Sequence, residues 1–139
     1  MPLNEVNWLA AIISALVGYG LGAAWYMSLA KPWMAAVGLS EEDIKGPDGK
    51  QSPMPFVIAA IANLVIAALL YGVLVHVGDF SVRRGLMSGL MIWLGFVATT
   101  QAVNYAYQMR PLRLWVIDTG YWLINLLAQG AILGWFGEG

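Results

Sequence analysis

"QSPMPFVIAAIANLVIAALLYGVLV", from Gln51 to Val75, contains no charged residue, and Asn63 is the only amide in its interior. An α-helix rises about 1.5 Å per residue and a bilayer's hydrocarbon core is about 30 Å thick, so about 20 mostly apolar residues cross it. This run is long enough and apolar enough to be a membrane-spanning helix. Working outward, Val6 to Ala30 and Gly85 to Met109 are also free of charge, and Leu114 to Gly137 holds only Asp118. The spacing predicts spans near 6–29, 55–77, 85–108 and 113–136 within a single transmembrane domain, 1–139. The expected fold is all-α: an integral membrane four-helix bundle with antiparallel sequential helices.

Composition supports that class. Hydrophobic residues make up 60% of the chain and charged residues 11%, whereas a soluble domain carries about 25% charged residues. The net charge of -1 offers no electrostatic attraction for nucleic acid. With no cysteine and one histidine, His76, neither a metal centre nor a cofactor site is expected, and no catalytic residue set is visible. "SLA", ending at Ala30, has a small-x-small pattern, but "MPLNEV" lacks the basic start of a signal peptide, so the first run is read as a helix that stays in the membrane.

The connections differ. Residues 78–84, "GDFSVRR", and 109–112, "MRPL", are tight turns that make sequential helices neighbours. The long loop, 31–54, lies between the first and second helices. It opens with "KPWMAAVGL", apolar enough to lie at the interface. "SEED" follows, where Ser40 is placed to cap a short helix with acidic residues in its first turn. "GPDGKQSP" then has turn chemistry. Lys31, Lys45, Lys50, Arg110 and Arg113 fall on the loop side, against Arg83 and Arg84 opposite. That bias puts the long loop in the cytoplasm and both termini outside.

Lipid gives no hydrophobic drive between helices, so contact needs small residues. The first helix has Ser14, Gly18 and Gly22 at four-residue spacing, the third has Gly85 and Gly89, and the fourth has Gly130 and Gly134. The bilayer is the first partner. More small-residue ridges than one bundle requires point to a homo-oligomer, a dimer through the Ser14–Gly18–Gly22 ridge, or to contact with another membrane protein.

Polar groups collect toward the loop end. In the fourth helix Asp118, Tyr121, Trp122, Asn125 and Gln129 fall on one face. In the third, Trp93, Thr100 and Asn104 form a similar stripe, with Thr99 and Gln101 beside it. Asn63 brings an amide from the second helix, and Trp25 and Tyr26 close the first. A carboxylate in the hydrocarbon costs a few kcal/mol by insertion scales and requires water, a partner or a proton. Asn104, Tyr105 and Trp25 are the expected donors to Asp118. The candidate ligand-binding set is Asp118, Asn104, Thr100, Asn63, Tyr121, Trp122, Asn125, Trp25 and Tyr26.

Three segments, "VNWLAAIISALVGYGLGAAWY", "WMAAVGLSEEDI" and "RPLRLWVIDTGYWLINLLAQGAILGW", together resemble domain-of-unknown-function family seventeen-sixty-one, small bacterial four-span membrane proteins with no established activity. The resemblance implies a multi-pass protein of the bacterial inner membrane and implies no chemistry. From the residues themselves, the leading reading is a non-enzymatic membrane protein with a polar small-ligand or proton-accessible pocket around Asp118, used in transport or permeation. The alternative is a structural or assembly module that self-associates or serves as a subunit of a larger complex. An intramembrane enzyme ranks last, because no second reactive group accompanies Asp118.

Overall fold

The computed structural model describes residues 2–138. Four long helices dominate it: Trp8–Ser28, Met54–Val77, Val82–Tyr107 and Leu112–Phe136, each long and apolar enough to cross a bilayer. They agree with the expected spans to within three residues at every end. Asn7 caps the first helix by accepting from the Ala10 N–H at 3.2 Å. Ser81 caps the third by accepting from the Arg84 N–H at 3.1 Å. That cap starts the third helix at Val82, earlier than a charge-free window allowed, because Arg83 and Arg84 stay exposed at its rim. Gly78 ends the second helix with φ 81°, a left-handed backbone that glycine adopts without steric cost.

The capped short helix expected in the long loop is present. Ala30–Val37 is helical, and Ser40 and Asp43 form a reciprocal capping box on the short helix Glu41–Ile44. The Ser40 N–H and hydroxyl hold the Asp43 carboxyl below its ordinary pKa of 3.8. The loop helix packs against the fourth span. The N-terminal and C-terminal ends meet at the opposite end of the bundle, where the Asn7 side-chain amide donates to the Gly137 carbonyl at 3.4 Å.

The fourth helix is the hub, packing on the first and on the N-terminal half of the third; the first also packs on the second. Small residues allow this closeness. A Cβ at Gly85 would overlap the Gly130 carbonyl, one at Gly89 would sit 2.5 Å from the Leu126 oxygen, and one at Gly134 would strike the Ser81 carbonyl. Ala10, Ala11, Ala15, Ala67, Leu74 and Leu133 fill the core toward the termini.

The loop-side half is looser. From Met54 to Ala62 the second helix buries no residue. The Thr99–Tyr107 stretch of the third also buries none. The helices are therefore tight at the terminal end and splayed at the loop end. The third helix carries one feature that the sequence reading did not anticipate, a π-helical turn from Trp93 to Ala98.

Candidate functional site

Asp118 lies in the fourth helix about 9 Å along the axis from Leu112, at about 1.5 Å per residue. Its two carboxylate oxygens are held by different helices. The Tyr26 hydroxyl of the first donates to Oδ1 at 2.7 Å, and the Tyr105 hydroxyl of the third donates to Oδ2 at 2.6 Å. Beside this clasp the Trp25 indole donates to the Ile117 carbonyl at 2.9 Å, and Trp93 donates to the Thr119 carbonyl at 2.7 Å. Trp115 returns the contact from the fourth helix, donating to the Ala98 carbonyl at 3.0 Å. One carboxylate and three indoles tie the first, third and fourth helices together where small-residue packing has given out.

Deeper in the bundle lies a second polar group, which is buried. The Tyr121 hydroxyl donates to the Gly18 carbonyl at 2.8 Å and accepts from the Asn125 amide at 3.2 Å. Asn125 and Gln129 both donate to Asn63 Oδ1, at 2.9 and 3.0 Å, and Gln129 also donates to Asn125 Oδ1 at 2.8 Å. The Asn63 amide in turn donates to the Ala59 carbonyl at 2.9 Å. Interhelical amide bonds of this kind hold membrane helices together. Gly18 makes room for the cluster: a Cβ there would come within 2.5 Å of Asn63 Oδ1 and 2.6 Å of Gln129 Nε2.

Between these layers and the second helix the splay opens a cleft of about 620 Å³, lined by Tyr26, Met54, Ile58, Ala62, Tyr121 and Trp122. Tyr26 belongs to both structures, since its ring lines the cleft while its hydroxyl holds Asp118. Its ring meets Tyr121 edge-on at 5.7 Å, and Tyr121 meets Trp122 at 4.7 Å. On the other side of Trp122 a second cavity of about 370 Å³ lies between the second and third helices, with Gln101 and Leu126 among its walls.

The nine candidate residues therefore divide. Asp118 and Tyr26 meet, with Trp25 bonded one residue away. Asn63, Tyr121 and Asn125 meet in the buried cluster, and Trp122 stands at the boundary between the two cavities. Thr100 and Asn104 are not brought in. Both are exposed, and Thr100 donates to its own helix at Phe96 O, 2.5 Å away. Nor does Trp25 donate to Asp118, as was expected; its bond goes to the helix backbone. The cause of the Thr100 and Asn104 displacement is the π turn. It inserts one residue, worth about 100° of helical rotation, so the face that begins at Trp93 continues through Gln101 and Tyr105 instead of Thr100 and Asn104. Gln129, the deepest member of the cluster, was visible on the Asp118 face but was not placed in the site.

The chain belongs to the family described as Protein of unknown function (DUF1761), whose model matches residues 9–134. No curated protein and no solved structure matches it. It is a multi-pass membrane protein by its four apolar helices.

Proposed function

We propose that this family member is a non-enzymatic membrane protein that admits a small amphipathic ligand sideways from the lipid into the loop-side cleft, with the Tyr26–Asp118 pair at the polar end. The observation that carries this reading is the double duty of Tyr26. A cleft of about 620 Å³ falls in the size range of small-molecule sites, about 300–1,000 Å³. Apolar walls and a few phenols suit a molecule with one polar end. A ligand that takes the Tyr26 hydroxyl frees Asp118 Oδ1 while Tyr105 keeps Oδ2, so occupancy is felt at the contact between the first and fourth helices. That coupling is what transport or gating requires. The excess of Lys and Arg on the loop side supports a cytoplasmic long loop with both termini outside, and the family resemblance supports a bacterial inner membrane.

Native mass spectrometry from lipid nanodiscs tests the reading. The parent should retain an amphiphile after mild activation, and Ala62→Phe, which fills the cleft, should lose it. Equal retention by both would refute the reading.

One observation favours self-association as a second reading. The outer face of Thr99–Tyr107 buries nothing and presents Asn104 without a partner among the described residues. An amide both donates and accepts, so a two-fold-related copy can satisfy it. The Ser14–Gly18–Gly22 ridge, in contrast, is occupied within the chain by Asn125, Asn63 and Tyr121. Asn104→Cys should form an intermolecular disulfide under mild oxidation, in a chain that otherwise has no cysteine; a strictly monomeric product would refute this interface.

A further inference from the structure

Four tryptophans have their indoles within the helical bundle at the loop-side half or near mid-helix: Trp25, Trp93, Trp115 and Trp122. The first three each donate to a backbone carbonyl of a neighbouring helix, at 2.9, 2.7 and 3.0 Å. Trp122 takes no partner among the described residues, although it lies deepest in the fourth helix, about 15 Å along the axis from Leu112. It is half-buried and lines both cavities. Gln101 lines the second cavity with it, and its amide also has no partner among the described residues. The π turn is what brings Gln101 to that wall. An unmatched N–H in hydrocarbon costs about as much as a lost hydrogen bond or more, and both idle donors border one space.

The occupant of that space must satisfy several conditions. It has to cross apolar walls of Val65, Ile66, Leu69, Val73 and Val97, so its body is hydrocarbon. It has to offer an acceptor oxygen to an indole N–H and an amide. It has to do so about 15 Å from the loop-side end of the fourth helix at Trp122 and about 9 Å from that of the third at Gln101, where a phospholipid's ester oxygens could arrive only by drawing a charged headgroup below the interface. No charged side chain lines either cavity. We propose that the ligand is an uncharged, membrane-dissolved lipid bearing a carbonyl oxygen, of the quinone type, with its carbonyl on Trp122 Nε1 and the Gln101 amide and its tail between the second and third helices. This rests on the ligand-admitting cleft proposed above and names the chemical class that the cleft and the cavity beside it take.

Decyl-benzoquinone titrated onto the full chain in phosphatidylcholine nanodiscs, read by native mass spectrometry, tests the proposal. The parent should bind one molecule in the presence of excess phospholipid. Trp122→Phe keeps an aromatic ring against Tyr121 and removes the donor, and should weaken binding about tenfold, the order of one hydrogen bond. Gln101→Leu, which leaves the indole in place, should weaken it similarly while both variants still elute as folded protein. Quinone affinity unchanged in Trp122→Phe overturns the proposal, and so does a parent that retains phospholipid but no quinone. In either case loss of the retained lipid from Ala62→Phe leaves the cleft reading standing. Retention in Ala62→Phe equal to the parent's removes the cleft reading itself.

Discussion

Asp118 has two donors and no others among the described residues, so removing them one at a time gives a graded test of the clasp. A hydrogen bond to a charged group contributes about 1.5–3 kcal/mol, so Tyr26→Phe and Tyr105→Phe should each destabilise by about that amount. The double variant leaves both oxygens without a phenol about 9 Å along the fourth helix, and it should cost more than either single change. The comparison that decides the matter is with Asp118→Leu added to the double variant. If the clasp is a matched polar pair in a low-dielectric setting, removing the acceptor along with its donors replaces an unpaired carboxylate by apolar contact. Such a replacement can be nearly neutral, so the triple variant should recover much of what the double variant lost. Asp118→Asn keeps an acceptor for one phenol and offers its NH₂ to the oxygen of the other, and should stay close to the parent. Equilibrium unfolding in mixed micelles, followed by tryptophan fluorescence, reports the parent and all five variants. A double variant as stable as the parent would refute the clasp, and a triple variant no better than the double would refute the argument from desolvation.

Other expectations follow from the packing and the loop. Gly130→Ala pushes a methyl group into the Gly85 carbonyl and should destabilise by about 1–3 kcal/mol or more in the same unfolding assay, since backbone cannot step aside as a side chain can. Gly18→Leu together with Gly22→Leu should disrupt the amide cluster and the Tyr121 contact, and should appear as lost folding by size-exclusion chromatography instead of a folded chain of altered oligomeric mass. Met109 holds φ 54° in the third turn, so Met109→Gly should be neutral or raise the melting temperature slightly. Asp43, whose carboxyl is held below 3.8 by the Ser40 bonds, favours the capped loop helix above that pH. The cap should fray as the pH falls through the lowered value, seen as loss of amide-exchange protection at Asp43. A cysteine at Gly49 should resist an impermeant reagent in intact cells, and labelling there would reverse the proposed orientation.

Much of the fold could be read from the sequence because bilayer thickness acts on simple counts. Gln51 to Val75 has no other reading once its length and lack of charge are set against about 30 Å of hydrocarbon, and Val6 to Ala30 joins it because a signal peptide would need a basic start. The Ser40 cap followed equally directly from a side chain that competes for backbone N–H groups. The face Asp118–Tyr121–Asn125 was legible too, since the fourth helix is regular throughout and regular periodicity extrapolates. The splay at the loop end was not, because it depends on where four separate helices cease to touch. Of the two donors to Asp118, Tyr105 was legible in the sequence and Tyr26 was not, while Asn104, which the face pattern offered, turns outward.

The turning away of Asn104 has a single local cause, and it yields a test of its own. Trp93, Thr100 and Asn104 share a face only if every turn between them is α-helical. The π turn from Trp93 to Ala98 holds one residue more than an α turn, so Gln101 and Tyr105 take the inward positions. Deleting one residue from the turn should let it relax to α-helix without moving anything downstream around the axis. Gly95 is the suitable residue, because it is exposed and no atom lies near the position of its missing side chain. In an ordinary α-helix a one-residue deletion rotates everything beyond it by about 100° and would carry Tyr105 away from Asp118. Here the deletion variant should keep the Tyr105–Asp118 bond, unfold near the parent's midpoint, and still lose about 1.5–3 kcal/mol on adding Tyr105→Phe. If the deletion alone costs that much and Tyr105→Phe then adds nothing, the third helix is α-helical throughout and the account of Gln101, Tyr105 and Asn104 fails together.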